Sequence, residues 1–298
     1  MKKLACLVCL VCFNFVSFGQ KEIPFEIQES RVDSVVNDLF LEEEMDLLGL
    51  ISDTEDFQFL YWRANYDSKT FYAGREIGLD QYNLSSQLFY LHSIGFYAGL
   101  AGAWYSDLDP GFRTTVFSFG YGKGLKKKLK FIRYRTSFDL YFYNNNDPDF
   151  EPIYTSSLNL GTTLRCKIIS TRFDAGFLLG KEIGTQLNWD IYSKITLLKF
   201  GKFNKLQFEP ELSFFFGSET VEYDLSTYLY DQFDEPTYYY EDVFGLLNTQ
   251  LALPVSLSVG SFDFELSWHK NFPRSMDYAY EYEDSSFLSF SIGYIFSL

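Results

Sequence analysis

From Phe57 to the end of the chain, apolar and polar residues alternate with a period of two, the signature of strands with two unlike faces. The last stretch, Ser286 to Leu298, shows it most plainly. Leu288, Phe290, Ile292, Tyr294, Phe296 and Leu298 fall on one face, and Ser289, Ser291, Gly293 and Ser297 on the other. Twelve segments of this kind follow one another, each near the ~10 residues that a tilted membrane strand requires. Their spans are Phe57 to Ser68, Gln81 to His92, Gly95 to Ser106, Thr114 to Gly122, Leu129 to Tyr143, Ile153 to Cys166, Ile168 to Gly180, Gln186 to Leu198, Leu206 to Ser218, Phe244 to Val259, Phe262 to Lys270 and Ser286 to Leu298. In the fifth, Ile132, Tyr134, Phe138, Leu140 and Phe142 oppose Arg133, Arg135, Ser137 and Asp139. In the ninth, Leu206, Phe208, Leu212, Phe214 and Phe216 oppose Gln207, Glu209, Glu211 and Ser213. A charge on a lipid-facing position costs ~2–4 kcal/mol at the bilayer midplane, so its confinement to one parity predicts lipid on one side and a wet or polar interior on the other. The first three segments alternate less cleanly.

The connections sort in the same way. Even-numbered gaps are short and basic where charged, as at Lys123 to Lys128, Lys167 and Lys199 to Lys205. Odd-numbered gaps are longer and mostly acidic, as at Asn144 to Pro152, Glu219 to Val243 and Asn271 to Ser285. Short turns at one end and long loops at the other predict an all-β fold: a transmembrane antiparallel up-and-down β-barrel of about 12 strands, closed by pairing of the last strand with the first.

The N-terminal part differs in pattern. Lys2 and Lys3, an apolar run from Leu4 to Phe18, and small residues at Ser17 and Gly19 predict a signal peptide over residues 1–19, cut before Gln20. Residues 20–56 form an acidic stretch around Glu42-Glu43-Glu44. Val32, Val35, Val36, Leu39 and Phe40 recur at helical spacing there, predicting a short N-terminal helical extension in the periplasm, with residues 57–298 as the barrel. The extension reads either as a loosely packed arm or as a plug or docking helix.

Composition adds three exclusions. The formal charge of the full chain is -15, and removing Lys2 and Lys3 with the leader takes it to about -17, so nucleic acid is excluded as a partner. Of the four cysteines, Cys6, Cys9 and Cys12 lie in the leader, which leaves Cys166 and no intrachain disulfide. Neither of the two histidines, His92 and His269, stands in a His-x-Ser pairing, no nucleophile can be nominated, and no zinc spacing or phosphate loop occurs; the expectation is no enzyme, no cofactor and no metal.

With its aromatic last strand, serial amphipathic segments and a leader ending at Gly19-Gln20, the chain resembles bacterial outer-membrane β-barrel proteins. The resemblance implies an outer-membrane location, lipid contact, and insertion by barrel assembly machinery that recognises the C-terminal strand. Many such proteins end in Phe, where this chain has Leu298.

Interior charges are the candidate chemistry. Arg133, Arg135, Arg165 and Arg172 are expected to form a basic arc, and Glu209, Glu211, Asp263 and Glu265 an acidic one, at similar depth near the short-turn end. If the arcs face one another across a constriction, the barrel is a narrow channel or transporter for small solutes, selecting by a transverse field. In the other reading, Arg and carboxylate pair across a filled interior, with Asp139, Asp174, Asp190 and Lys194 completing the network. The loop 219–243 carries Tyr223, Tyr228, Tyr238, Tyr239 and Tyr240 among carboxylates, which suits a closed barrel that captures a ligand or partner from outside.

Overall fold

A computed structural model of the protein describes residues 58–297, apart from 73–74, 77–80, 93, 127–128, 130, 148–149, 167, 201–203, 225–237 and 277–280. The predicted signal peptide and acidic extension therefore lie outside the described residues, as does Tyr228.

Twelve antiparallel strands make the barrel: β1 (Gln58–Asp67), β2 (Asn83–His92), β3 (Phe96–Tyr105), β4 (Phe112–Gly124), β5 (Ile132–Tyr143), β6 (Tyr154–Leu164), β7 (Ser170–Gly180), β8 (Ile183–Tyr192), β9 (Glu211–Asp224), β10 (Tyr238–Val259), β11 (Phe262–Pro273) and β12 (Ser285–Ser297). Each pairs with its neighbours in sequence, and β1 closes on β12 from Phe59 opposite Ser297 to Asp67 opposite Ser289. Closure removes both free edges, which a lipid environment demands because it offers no partner for backbone N–H and C=O groups. Twelve strands at ~4.8 Å spacing, tilted by ~40°, give a backbone cylinder roughly 24 Å across.

The outer surface is apolar. Leu100, Phe119, Phe138, Leu160, Phe173, Trp189, Leu266 and Phe290 all point outward and are exposed. Among the described residues, the outward positions of these strands between the aromatic belts carry no carboxylate. Lys123 and Lys270 stand at strand ends, where Lys270 reaches Asp284 at 3.2 Å. Aromatic belts mark both ends of this surface. Tyr66, Tyr82 and Trp104 follow one another at 5.7 Å near the long-loop rim, and Phe262, Tyr294 and Phe296 cluster at 4.6 and 4.5 Å near the short-turn rim. An apolar band between two aromatic belts is the exterior of a membrane-spanning barrel.

Three features depart from the expectation. First, the segment 219–243 is not all loop: Glu219 to Asp224 pair with Tyr238 to Val243, so β9 and β10 continue as a ladder past the other strands. Hydrogen bonding can continue in water where no lipid imposes an apolar face, so the acidic pattern hid the strand. Second, the eighth and ninth segments are each interrupted. Beyond Ser193 and Lys194 the chain resumes as Ile195–Phe200, turns, and returns as Asn204–Phe208 before the break at Glu209 and Pro210. Pro210 has no N–H to give the ladder, which accounts for the interruption. This rim hairpin pairs on one side with the end of β10. Third, β5 starts at Ile132, not Leu129.

The weak alternation of the first three segments has a cause as well. Inward positions there are apolar too: Phe59, Tyr61, Phe89, Leu91, Tyr97, Ala101, Ala103 and Tyr105 form one buried cluster with Val116 and Tyr141. A strand buried against core on one face and lipid on the other loses its polar alternation.

Candidate functional site

The barrel interior divides into three sectors. Strands β1 to β5 contribute the apolar cluster just described, which runs from Phe59 and Leu91 near the short-turn end to Tyr105 and Tyr141 near the long-loop end.

Strands β5 to β9 contribute an ion-pair ladder. Arg135 on β5 is wholly buried and binds Asp174 on β7 through Nη2 at 2.9 Å and Nε at 3.2 Å. The two reach one another across β6 because the intervening inward residue is Gly161. A methyl there would overlap Asp174 Oδ1 and lie 2.7 Å from Arg135 Nε. Next to Asp174 on β7, Arg172 bonds Asp190 at 2.7 Å and Glu211 at 3.2 Å, and comes within 4.0 Å of Asp174. Above them Asp139 accepts from Asn159 at 2.5 Å and from Ser157 at 3.2 Å, and Ser157 meets the Tyr141 hydroxyl at 2.7 Å.

Strands β10 to β12, with β1 and β2, contribute a wall of small and polar side chains. Read across the registers, one row is Ser85, Asn65, Ser291, Glu265 and Ser256; the row beside it is Gln87, Arg63, Gly293, Asp263 and Ser258. Arg63 Nη2 donates to Glu265 at 3.2 Å, with side-chain exposures of 20% and 32%. Arg135 and Asp174, by contrast, are 0% and 2% exposed. The side chains of this wall are mostly short, and its charged pair, Arg63 and Glu265, is partly exposed. Ser85 Oγ, Gln87 Oε1 and Ser267 Oγ are buried with no hydrogen-bond partner among the described protein atoms.

The predicted arcs are rearranged accordingly. Arg133 and Arg135 lie inward on β5 and Arg172 inward on β7, all buried. Arg165 stands one residue past β6, half-exposed in the turn, where its backbone N–H donates to Phe131 O at 2.8 Å. Glu209 sits in the strand break, 3.0 Å from Lys194 and 3.3 Å from Ser256 Oγ. Asp263 and Glu265 are half-exposed on β11, six strands from β5 in a ring of twelve and thus on the opposite wall. Arg172 and Glu211 do not face one another across a gap, however; they touch. Strands β7 and β9 flank β8, and long side chains two strands apart meet over its inward face, where low dielectric favours pairing over separation. Arg63 is a further inward charge that the alternation did not reveal. It shares its face with Asn65 and Asp67, but Phe59 and Tyr61 on the same face obscured the parity.

Tyr223, Tyr238, Tyr239 and Tyr240 belong to the ladder extension, with Tyr223 opposite Tyr239. His269 is an interior group, stacked on Phe287 at 4.4 Å with Nδ1 3.4 Å from Gln250 Oε1; His92 accepts from the Ile94 N–H in a rim turn. On the long-loop side Lys181 pairs with Glu151, and its ammonium holds that carboxyl below the ordinary value.

No family model matches the sequence, and no curated protein matches it. Among solved structures, the chain is similar to the KdgM porin at 9% identity, covering 80% of this chain and 98% of that one with a TM-score of 0.42. It is similar to the NanC porin at 10% identity, covering 80% and 99% with a TM-score of 0.42. An outer membrane channel from Pseudomonas putida F1 matches at 8% identity, covering 83% and 98% with a TM-score of 0.45.

Proposed function

We propose that the chain is a narrow channel for small solutes in the bacterial outer membrane, with its water path running off-axis along β9 to β12 and β1. The observation that carries this reading is the gradient of exposure among interior charges. Arg135 and Asp174 are sealed, whereas Glu265, Arg63 and Glu211 stay partly open, at 32%, 20% and 18%. A wall of Ser256, Ser258, Ser291 and Gly293 faces that path, so its width is governed by few large side chains. In this role the ion-pair ladder and the apolar cluster act as fixed filling that narrows the lumen, and Arg63 with Glu265 forms a charged pair at the constriction. The apolar exterior would contact outer-membrane lipid, and β12 would be the strand read by assembly machinery, with the N-terminal arm on the periplasmic side. No enzymatic step is assigned.

The test is the zero-current potential across a planar bilayer under a salt gradient. Glu265→Gln should move it toward anion preference and Arg63→Gln toward cation preference. Inserted protein that conducts under no ionic condition, or a pair of variants that shift the potential the same way, overturns the reading.

A further inference from the structure

The rim hairpin leaves a backbone edge open at the short-turn end of the barrel. Ile195–Phe200 pairs with Asn204–Phe208 on one side, and among the described residues it has no strand on the other, because β7 begins at Ser170 opposite Tyr192 and stops there. All six of its residues are exposed, and four of them, Ile195, Leu197, Leu198 and Phe200, are large and apolar. Such an edge is a template for another strand, and proteins normally cover it. The hairpin is also basic. Lys199 stands directly opposite Lys205, an unfavourable like-charge cross-strand pair, with Lys194 close by on Glu209. An anionic strand laid along the edge would answer both features.

The chain itself contains one. Residues 20–56 carry twelve carboxylates and two cations, a net charge of 2 minus 12, or -10. Within them Glu22-Ile23-Pro24-Phe25-Glu26-Ile27-Gln28 alternates at period two, with Ile23, Phe25 and Ile27 on one face and both glutamates on the other. Pro24 has no N–H, which an added outermost strand tolerates. The reach is suitable. Gln58 begins β1 at the same short-turn rim, and five inter-strand steps of ~4.8 Å separate β1 from the open edge, roughly 24 Å. A flexible chain of ~30 residues has a root-mean-square span of about 30 Å, so a segment ending at Gln28 can reach the edge from Gln58.

We propose that residues 22–28 add as a further strand to the free edge of Ile195–Phe200, with their glutamates toward the lysines of the hairpin. Hydrogen exchange of the amides of residues 195–200, followed by mass spectrometry on the full chain in detergent micelles, tests it. Exchange should be roughly tenfold slower in the full chain than in a variant lacking residues 22–28, and slower than in Glu22→Lys/Glu26→Lys, which keeps the backbone but reverses the charge. Equal rates in all three overturn the proposal. So does protection that survives the deletion, whether it fades on dilution, as pairing with a second copy would, or appears only in a bilayer, as lipid cover would. The readout does not involve conductance, so it can fail independently of the channel reading.

Discussion

Arg172 is the joint of the interior ladder, and replacing it with Met isolates what buried pairing contributes. The guanidinium touches Asp190 at 2.7 Å and Glu211 at 3.2 Å, and it is itself 4% exposed. Met keeps much of the volume and removes the charge. Asp190, at 0% exposure, then has no cation in contact among the described residues; the Ser213 hydroxyl donates to its carboxylate and the like-charged Asp174 lies near. Breaking one side of a buried pair costs ~3–5 kcal/mol, because the partner is left charged in a medium that solvates it poorly. At 1.4 kcal/mol per factor of ten, that is roughly two to three and a half orders of magnitude in the unfolding equilibrium. Glu211, partly open to water, adds little to this sum. The assay is urea unfolding of the barrel in lipid vesicles, followed by tryptophan fluorescence. Arg172→Met/Asp190→Asn should recover a substantial part of the loss, since the orphaned carboxylate is removed with its partner, and the coupling between the two sites should exceed ~1 kcal/mol. A loss below ~1 kcal/mol in the single variant, or strict additivity in the double, would refute the view that this sector is stabilised by desolvated pairing.

Two further substitutions probe the walls on either side of the ladder by the same unfolding assay. Gly161→Ala should cost ~1–3 kcal/mol, since the added methyl wedges between Asp174 and Arg135, both buried against neighbours that cannot yield far. Leu266→Arg, on the lipid face of β11 and 52% exposed there, should cost ~2–4 kcal/mol, while Ser267→Ala on the next, inward position should cost under ~1 kcal/mol. Equal effects at 266 and 267 would mean that the two faces of β11 are wrongly assigned.

The strand count, the inside and outside of β5, β9 and β12, and the short-turn and long-loop ends were all legible from the sequence. The reason is energetic: a bilayer penalises every outward charge, so each membrane strand must write its orientation into a period of two. Where the interior was also apolar, as at Phe59, Tyr61, Phe89 and Leu91, that code lost contrast, and Arg63 was missed with it. Where the ladder ran on into water, as from Glu219 to Asp224 opposite Tyr238 to Val243, the bilayer no longer constrained the residues, and strand looked like loop.

What alternation could not supply was the pairing of charges. It showed that Arg135, Arg172, Glu211 and Glu265 point inward; it carried no information on which would touch, because that depends on stagger between strands far apart in the chain. Register around the closed ring decided it. Gly161 lets Arg135 reach Asp174, β8 brings Arg172 onto Glu211, and closure of β12 on β1 sets Arg63 beside Glu265. One-dimensional periodicity determines which way each side chain faces, since that is a local contest with lipid, while only the closed cylinder determines what it meets there.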